Sequence, residues 1–163
     1  MKTKILLILI TLFSVFGCDK EQTSVDIEPF NVYYFYNQTC PHCKQVKEQL
    51  IPQIENKYKD KVTIIGYDID KKESVSLYDN YIGLYDKDQD EWLVEGVLEG
   101  VNQELACYER LVPLVVIDEY YAFLGYSSEM LDAYMQDIHL ALQGRKLATG
   151  DIANDRWLFK KMD

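Results

Sequence analysis

The feature that most constrains this chain is a pair of cysteines at a strand-to-helix junction. Residues 31–36 (NVYYFY) are aromatic and β-branched, which reads as a buried strand. A polar turn, Asn37-Gln38-Thr39, leads into Cys40-Pro41-His42-Cys43. A helical pattern follows, with apolar residues at Val46, Leu50, Ile51 and Ile54. Thr39 is placed to cap that helix, and Pro41 suits its first turn, where a missing N–H costs nothing. Pro52 inside the pattern predicts a kink. Unpaired N–H groups and the positive end of the helix dipole favour a thiolate at this position, which makes the corresponding disulfide a better oxidant. The spacing makes Cys40 the exposed nucleophile and Cys43, one turn on, the buried resolving thiol. His42 between them can add a donor or a positive charge. Other uses of the pair stay open: a structural disulfide, or a copper or zinc site built from Cys40, Cys43 and His42. A structural zinc site needs four ligands, and there is no second CxxC.

Beyond the first helix, residues 61–70 (KVTIIGYDID) read as a second strand, completing a right-handed βαβ unit. Residues 71–110 predict two helices. Leu77, Tyr81, Leu84 and Tyr85 mark the first, and Leu93, Val97, Leu98, Val101 and Leu105 the second. The acidic stretch 86–91 between them begins like a calcium loop, but Glu91 stands where the loop needs glycine and Val97 where it needs glutamate, so it reads as a solvated turn. Residues 111–118 (LVPLVVID) and 121–125 (YAFLG) read as two further strands. A last helix, capped by Ser127 or Ser128, carries Met130, Leu131, Tyr134, Ile138 and Leu142 and ends at Gly144. Residues 145–163 read as a polar tail anchored only by Trp157, Leu158 and Phe159. Of the tyrosines, Tyr33, Tyr36, Tyr120 and Tyr121 are candidates to line a groove beside the cysteines. His139 reads as an ordinary helix-surface residue, and Cys107, left over from the pair, as a buried apolar cysteine or as a second redox residue able to form a mixed disulfide with a partner.

The first residues read as an address. Lys2 and Lys4 precede an apolar run at 5–16 (ILLILITLFSVF), too short for a bilayer anchor and the right length for a secretory signal. Its end, Val15-Phe16-Gly17-Cys18, resembles a bacterial lipobox, which implies cleavage before Cys18 and lipidation of that cysteine. The expected division is a signal peptide at 1–17, a tether at 18–29, a domain at 30–144 and a tail at 145–163. Cleavage removes Lys2 and Lys4 and takes the formal charge from −10 to −12. A pI near 4.7 argues against nucleic acid and against recruitment to anionic lipid by overall charge. The compartment is extracytoplasmic, where disulfides persist.

The strand–Cys40-Pro41-His42-Cys43–helix unit, with Val112-Pro113 opening a later strand, resembles the thioredoxin superfamily. The Pro-His and Val-Pro pairs are similar to DsbA-like disulfide oxidoreductases. The resemblance implies an α/β fold: a central mixed sheet of about four strands flanked by helices, with a helical insertion before the cis-proline strand. It implies that Pro113 is cis and that Val112 offers its backbone to an extended substrate segment. Its members often carry a buried acid six residues before the first cysteine; here that position is Tyr34. The expectation is a membrane-tethered thiol–disulfide oxidoreductase. It would act on cysteine-containing secreted or surface proteins and be reset by a redox partner, with no metal or organic cofactor. The rival within that chemistry is a dedicated reductase. The rival outside it is a metal chaperone or a non-catalytic peptide-binding module.

Overall fold

The computed structural model describes residues 26–145, 147 and 156–160. Residues 1–25 lie outside them, so the signal peptide and Cys18 are not part of the description. Among the described residues no helix is long and apolar enough to cross a membrane.

The molecule is mixed α/β. Strand β1 (Phe30–Tyr36) leads through the cysteine turn into α1 (Pro41–Gln45), a π-helical turn (Val46–Leu50) and α2 (Ile51–Tyr58). These form one helical run. The π turn lies directly before Pro52, which has no N–H to give to the preceding turn and whose ring crowds the carbonyl there. The expected kink therefore takes the form of a widened turn. Strand β2 (Val62–Asp68) returns parallel to β1, Phe30 opposite Val62 and Tyr36 opposite Asp68. Helix α3 (Lys72–Ile82) follows, then the hairpin β3 (Gly83–Asp86) and β4 (Glu91–Glu95), the short β5 (Leu98–Gly100) and α4 (Gln103–Glu109). Strands β6 (Leu114–Ile117) and β7 (Tyr121–Leu124), helix α5 (Leu131–Leu142) and β8 (Arg156–Phe159) complete the order.

Six strands make the main sheet, in the order β2-β1-β6-β7-β8-β5, with β1–β2 parallel and every other pair antiparallel. Alternation along each strand builds a core on both faces. Val32, Tyr34, Val115 and Ile117 point to one face, packing with Val46, Leu50 and Ile54 of the first helical run and Tyr134 and Ile138 of α5. Phe35, Leu114, Val116 and Ala122 point to the other, against Tyr78 and Ile82 of α3, Ala106 and Cys107 of α4, and Trp157.

Three expectations are corrected. The sheet has six strands, not about four. The segment before Pro113 is not purely helical: of the second expected helix only α4 forms, and Leu93, Val97 and Leu98 lie in or beside strands. Leu93, Val97, Val101 and Leu105 are exposed, so their helical spacing never marked a core face. The expected tail supplies β8, which inserts between β7 and β5 with Trp157 fully buried. The acidic stretch forms the turn of the β3–β4 hairpin, where the Asp86 carboxylate accepts from the backbone N–H groups of Asp88 and Gln89.

Candidate redox site

The cysteine pair sits at the end of β1, where the chain turns into α1. Asn37 organises the turn. Its side-chain oxygen accepts from the Thr39 N–H at 2.8 Å and from the Thr39 hydroxyl, while its carbonyl accepts from the Cys40 N–H at 3.2 Å. Its amide donates to both oxygens of Asp70, beyond the end of β2, at 2.8 and 2.9 Å. Gln38 donates to Asp68 at 2.9 Å, and that bond, with one from the Asp70 N–H, holds the Asp68 carboxyl below its ordinary range. The loop is thus fastened to the neighbouring strand at two points. Thr39 is not the helix cap: Cys40 is, its sulfur accepting from the Cys43 N–H at 3.3 Å.

That bond aims a helix-start N–H at the Cys40 sulfur, where it stabilises negative charge. Cys40 is partly exposed, Cys43 buried, and both are free thiols. Burial, and then the hydrogen bond with Cys40, pushes the Cys43 thiol up to about 12. The two cysteines are therefore unlike: one reachable and held by a backbone N–H, the other shielded and kept protonated. Pro41 is the first residue of α1 and His42 is exposed beside the pair.

Val112 and Pro113 come to the same place from 70 residues further along the chain. The Val112–Pro113 peptide is cis. The Cys40 thiol donates to the Val112 carbonyl at 3.6 Å, across a sequence separation of 72. Pro113 is buried and leads directly into β6, antiparallel to β1. Cys40, Cys43, Val112 and Pro113 thus belong to one site.

Tyr34 lies beneath it. Its hydroxyl donates to the Cys43 carbonyl at 2.5 Å. Burial, and then the nearby Cys43 sulfur, holds the phenol well above its ordinary range, so it is a donor and not a base at neutral pH. Cys43 also lines a cleft of about 580 Å³ with Tyr34, Tyr36 and Lys47, although the residue is only 2% exposed.

The remaining candidates fall elsewhere. Tyr33 donates to Asp118 at the far end of β6, and Tyr120 and Tyr121 flank the β6–β7 turn; only Tyr36 borders the cysteines. The Cys107 thiol is buried and donates to the Gly83 carbonyl at 3.0 Å, and burial pushes it up to about 11. His139 is half-buried and hydrogen-bonded rather than a free surface residue. Among the described residues no three His, Cys, Asp or Glu side chains converge to hold a metal ion. The Asn37–Asp70 and Gln38–Asp68 fastenings escaped the sequence reading; the spacing of Asn37 and Thr39, typical of an Asx turn, was their only trace.

Comparison with protein families, with curated proteins and with solved structures found no match to this chain.

Proposed function

We propose that this chain is a thiol–disulfide oxidoreductase of thioredoxin-like, DsbA-like type, tethered outside the cytoplasm by a lipid on Cys18 and acting on cysteines of secreted or surface proteins. The observation that carries the reading is the meeting of Cys40 with Val112–Pro113. A partly exposed sulfur at a helix start lies 3.6 Å from a backbone carbonyl in a cis X–Pro loop, with a buried second thiol one turn behind.

As an oxidant, the Cys40–Cys43 disulfide is attacked at the Cys40 sulfur by a substrate thiolate. The Cys40–Cys43 bond breaks, a mixed disulfide forms, and Cys43 departs as a thiolate that takes up one proton. Its high proton affinity in the dithiol form favours that uptake. A second substrate thiolate then attacks the substrate sulfur of the mixed disulfide and releases Cys40. The substrate has lost two electrons and the enzyme has gained them. As a reductant the same steps run backwards. A redox partner of opposite poise completes the cycle.

The test is a pair of variants. Cys40→Ser abolishes exchange with a model dithiol peptide, while Cys43→Ser accumulates mixed disulfides visible on non-reducing gels. Identical behaviour of the two would overturn the assignment of roles. Equilibration of the wild-type pair with glutathione then gives the direction: a potential near that of strong oxidants makes the protein a disulfide donor, a low one a reductase.

A further inference from the structure

A second concave site lies at the other end of the helical run that begins with the cysteines. Residues 41–58 at the usual helical rise separate the two by on the order of 25 Å. Here Asp26 and Ile27, the end of α2 with its following turn, and His139 of α5 surround a cavity of about 650 Å³.

Lys57, Lys59 and Lys61 converge on this cavity. Lys61 is engaged by the Asp26 carboxylate and by the Ile27 carbonyl at 2.7 Å. Among the described residues no carboxylate lies within ion-pair distance of Lys57 or Lys59. The Lys57 ammonium sits 5.5 Å from the Tyr58 ring centroid, and burial weakens its hold on its proton.

The His139 ring is 3.4 Å from the Tyr58 hydroxyl through Nδ1, and its Nε2 is 2.9 Å from the Gln143 amide nitrogen. The Gln143 oxygen accepts from Arg145 at 3.4 Å, which leaves the amide nitrogen facing the ring. Burial, then the charges of Lys57 and Arg145, lower the proton affinity of His139. Among the described residues, the polar and charged groups around the ring are Lys57 and Tyr58 from α2, Gln143 and Arg145 beyond α5, and Asp26, Lys59, Asp60 and Lys61 around the rim, with Glu28 near Lys61. In a chain of formal charge −10, three lysines face two carboxylates, Asp26 and Asp60, around this pocket, and Lys61 is the lysine engaged by Asp26.

We propose that the pocket takes a phosphate group, that of an anionic phospholipid, and so fixes which face of the tethered protein meets the membrane. The inference rests on the lipid-anchor part of the reading above. Asp26 follows Cys18 by eight residues, which span at most about 29 Å when fully extended. The tether thus holds this end of the molecule near the headgroups. Overall charge repels an anionic surface and cannot recruit the protein. The lipid does that, and a tethered pocket then meets headgroups at a high effective concentration, so a weak site suffices to orient it. Docking here turns Cys40 away from the bilayer, toward clients in the surrounding space.

The experiment follows the two histidines, His42 and His139, by NMR in the full mature lipoprotein reconstituted into nanodiscs. Discs containing phosphatidylglycerol raise the His139 titration midpoint by about half a pH unit or more over phosphatidylcholine discs, as a nearby anion does for an imidazole. Lys57→Gln abolishes the rise and leaves disulfide exchange unchanged. Inorganic phosphate, added to phosphatidylcholine discs, produces the same rise. A response to phosphate without one to phosphatidylglycerol overturns the lipid as the source. No response to either overturns the anion site. Protein that stays out of every disc refutes the anchor, and with it the lipid source, whatever inorganic phosphate does.

Discussion

Tyr34 occupies a position beneath the cysteine pair where a carboxylate would serve as an internal base, and it does something different. Its hydroxyl ties β1 to the first turn of α1 through the Cys43 carbonyl. Cys40 and Cys43 could be singled out locally, as two sulfurs at fixed helical spacing, whereas Val112 and Pro113 entered through the family resemblance, because a proline at a strand start does not by itself say that it is cis or what lies beside it. The bond made by Tyr34 was not, because it depends on how the helix lies on the strand. Glycine shows the same limit. A Cβ at Gly96 would stand 2.2 Å from the Ile82 carbonyl carbon and 2.4 Å from the Gly83 nitrogen, both backbone. Gly96→Ala therefore costs about 3 kcal/mol, as tight overpacking does. Gly125→Ala, with φ +83° but nothing within 4 Å, costs only about 1 kcal/mol. Urea unfolding midpoints of the two variants check the contrast; equal losses would show that the close approach at Gly96 is not rigid.

At the scale of elements, β1 and β6 were readable from their runs of β-branched and aromatic residues, β6 being buried along its whole length, and α5 from its 3.6-residue spacing over a buried face. They misled in the segment holding β4, β5 and α4, where Leu93, Val97, Val101 and Leu105 are about half exposed and their spacing reports no shared face. Strand β8 escaped for another reason: its place is set by a partner far away in sequence. Arg156 donates to Asp137 of α5 at 2.9 Å, with side chains 3% and 0% exposed, and its guanidinium lies 4.9 Å from the Tyr134 ring centroid. Removing one member of such a pair leaves a buried charge without its counterion. Arg156→Leu is expected to cost about 3–5 kcal/mol, and the double variant Asp137→Leu/Arg156→Leu to recover most of it. Thermal unfolding of the three proteins measures this; a double variant no more stable than the single one would contradict it.

Across the whole molecule, acidic protons are locked inside. Burial raises Cys107 to about 11 and Cys43 and Tyr58 to about 12, and it is the leading cause of still larger upward shifts at Tyr34, Tyr78 and Tyr81. In the unfolded chain the same thiols and phenols titrate near 9 and 10. Above about pH 9 the folded state thus holds more protons than the unfolded one, and stability falls as pH rises. The urea midpoint should stay level from neutrality to about pH 9 and then drop steeply through pH 12. Cys107→Ala should soften the first part of that drop, and a level midpoint to pH 11 would contradict the burial of these groups. Strand β8 also joins what would otherwise be two separate pieces of sheet. Among the described residues β5 pairs with β8 alone, and β8 alone links it to β7. Cutting residues 156–159 out of the sheet therefore detaches β5 as well, so one four-residue strand carries two rows of the six.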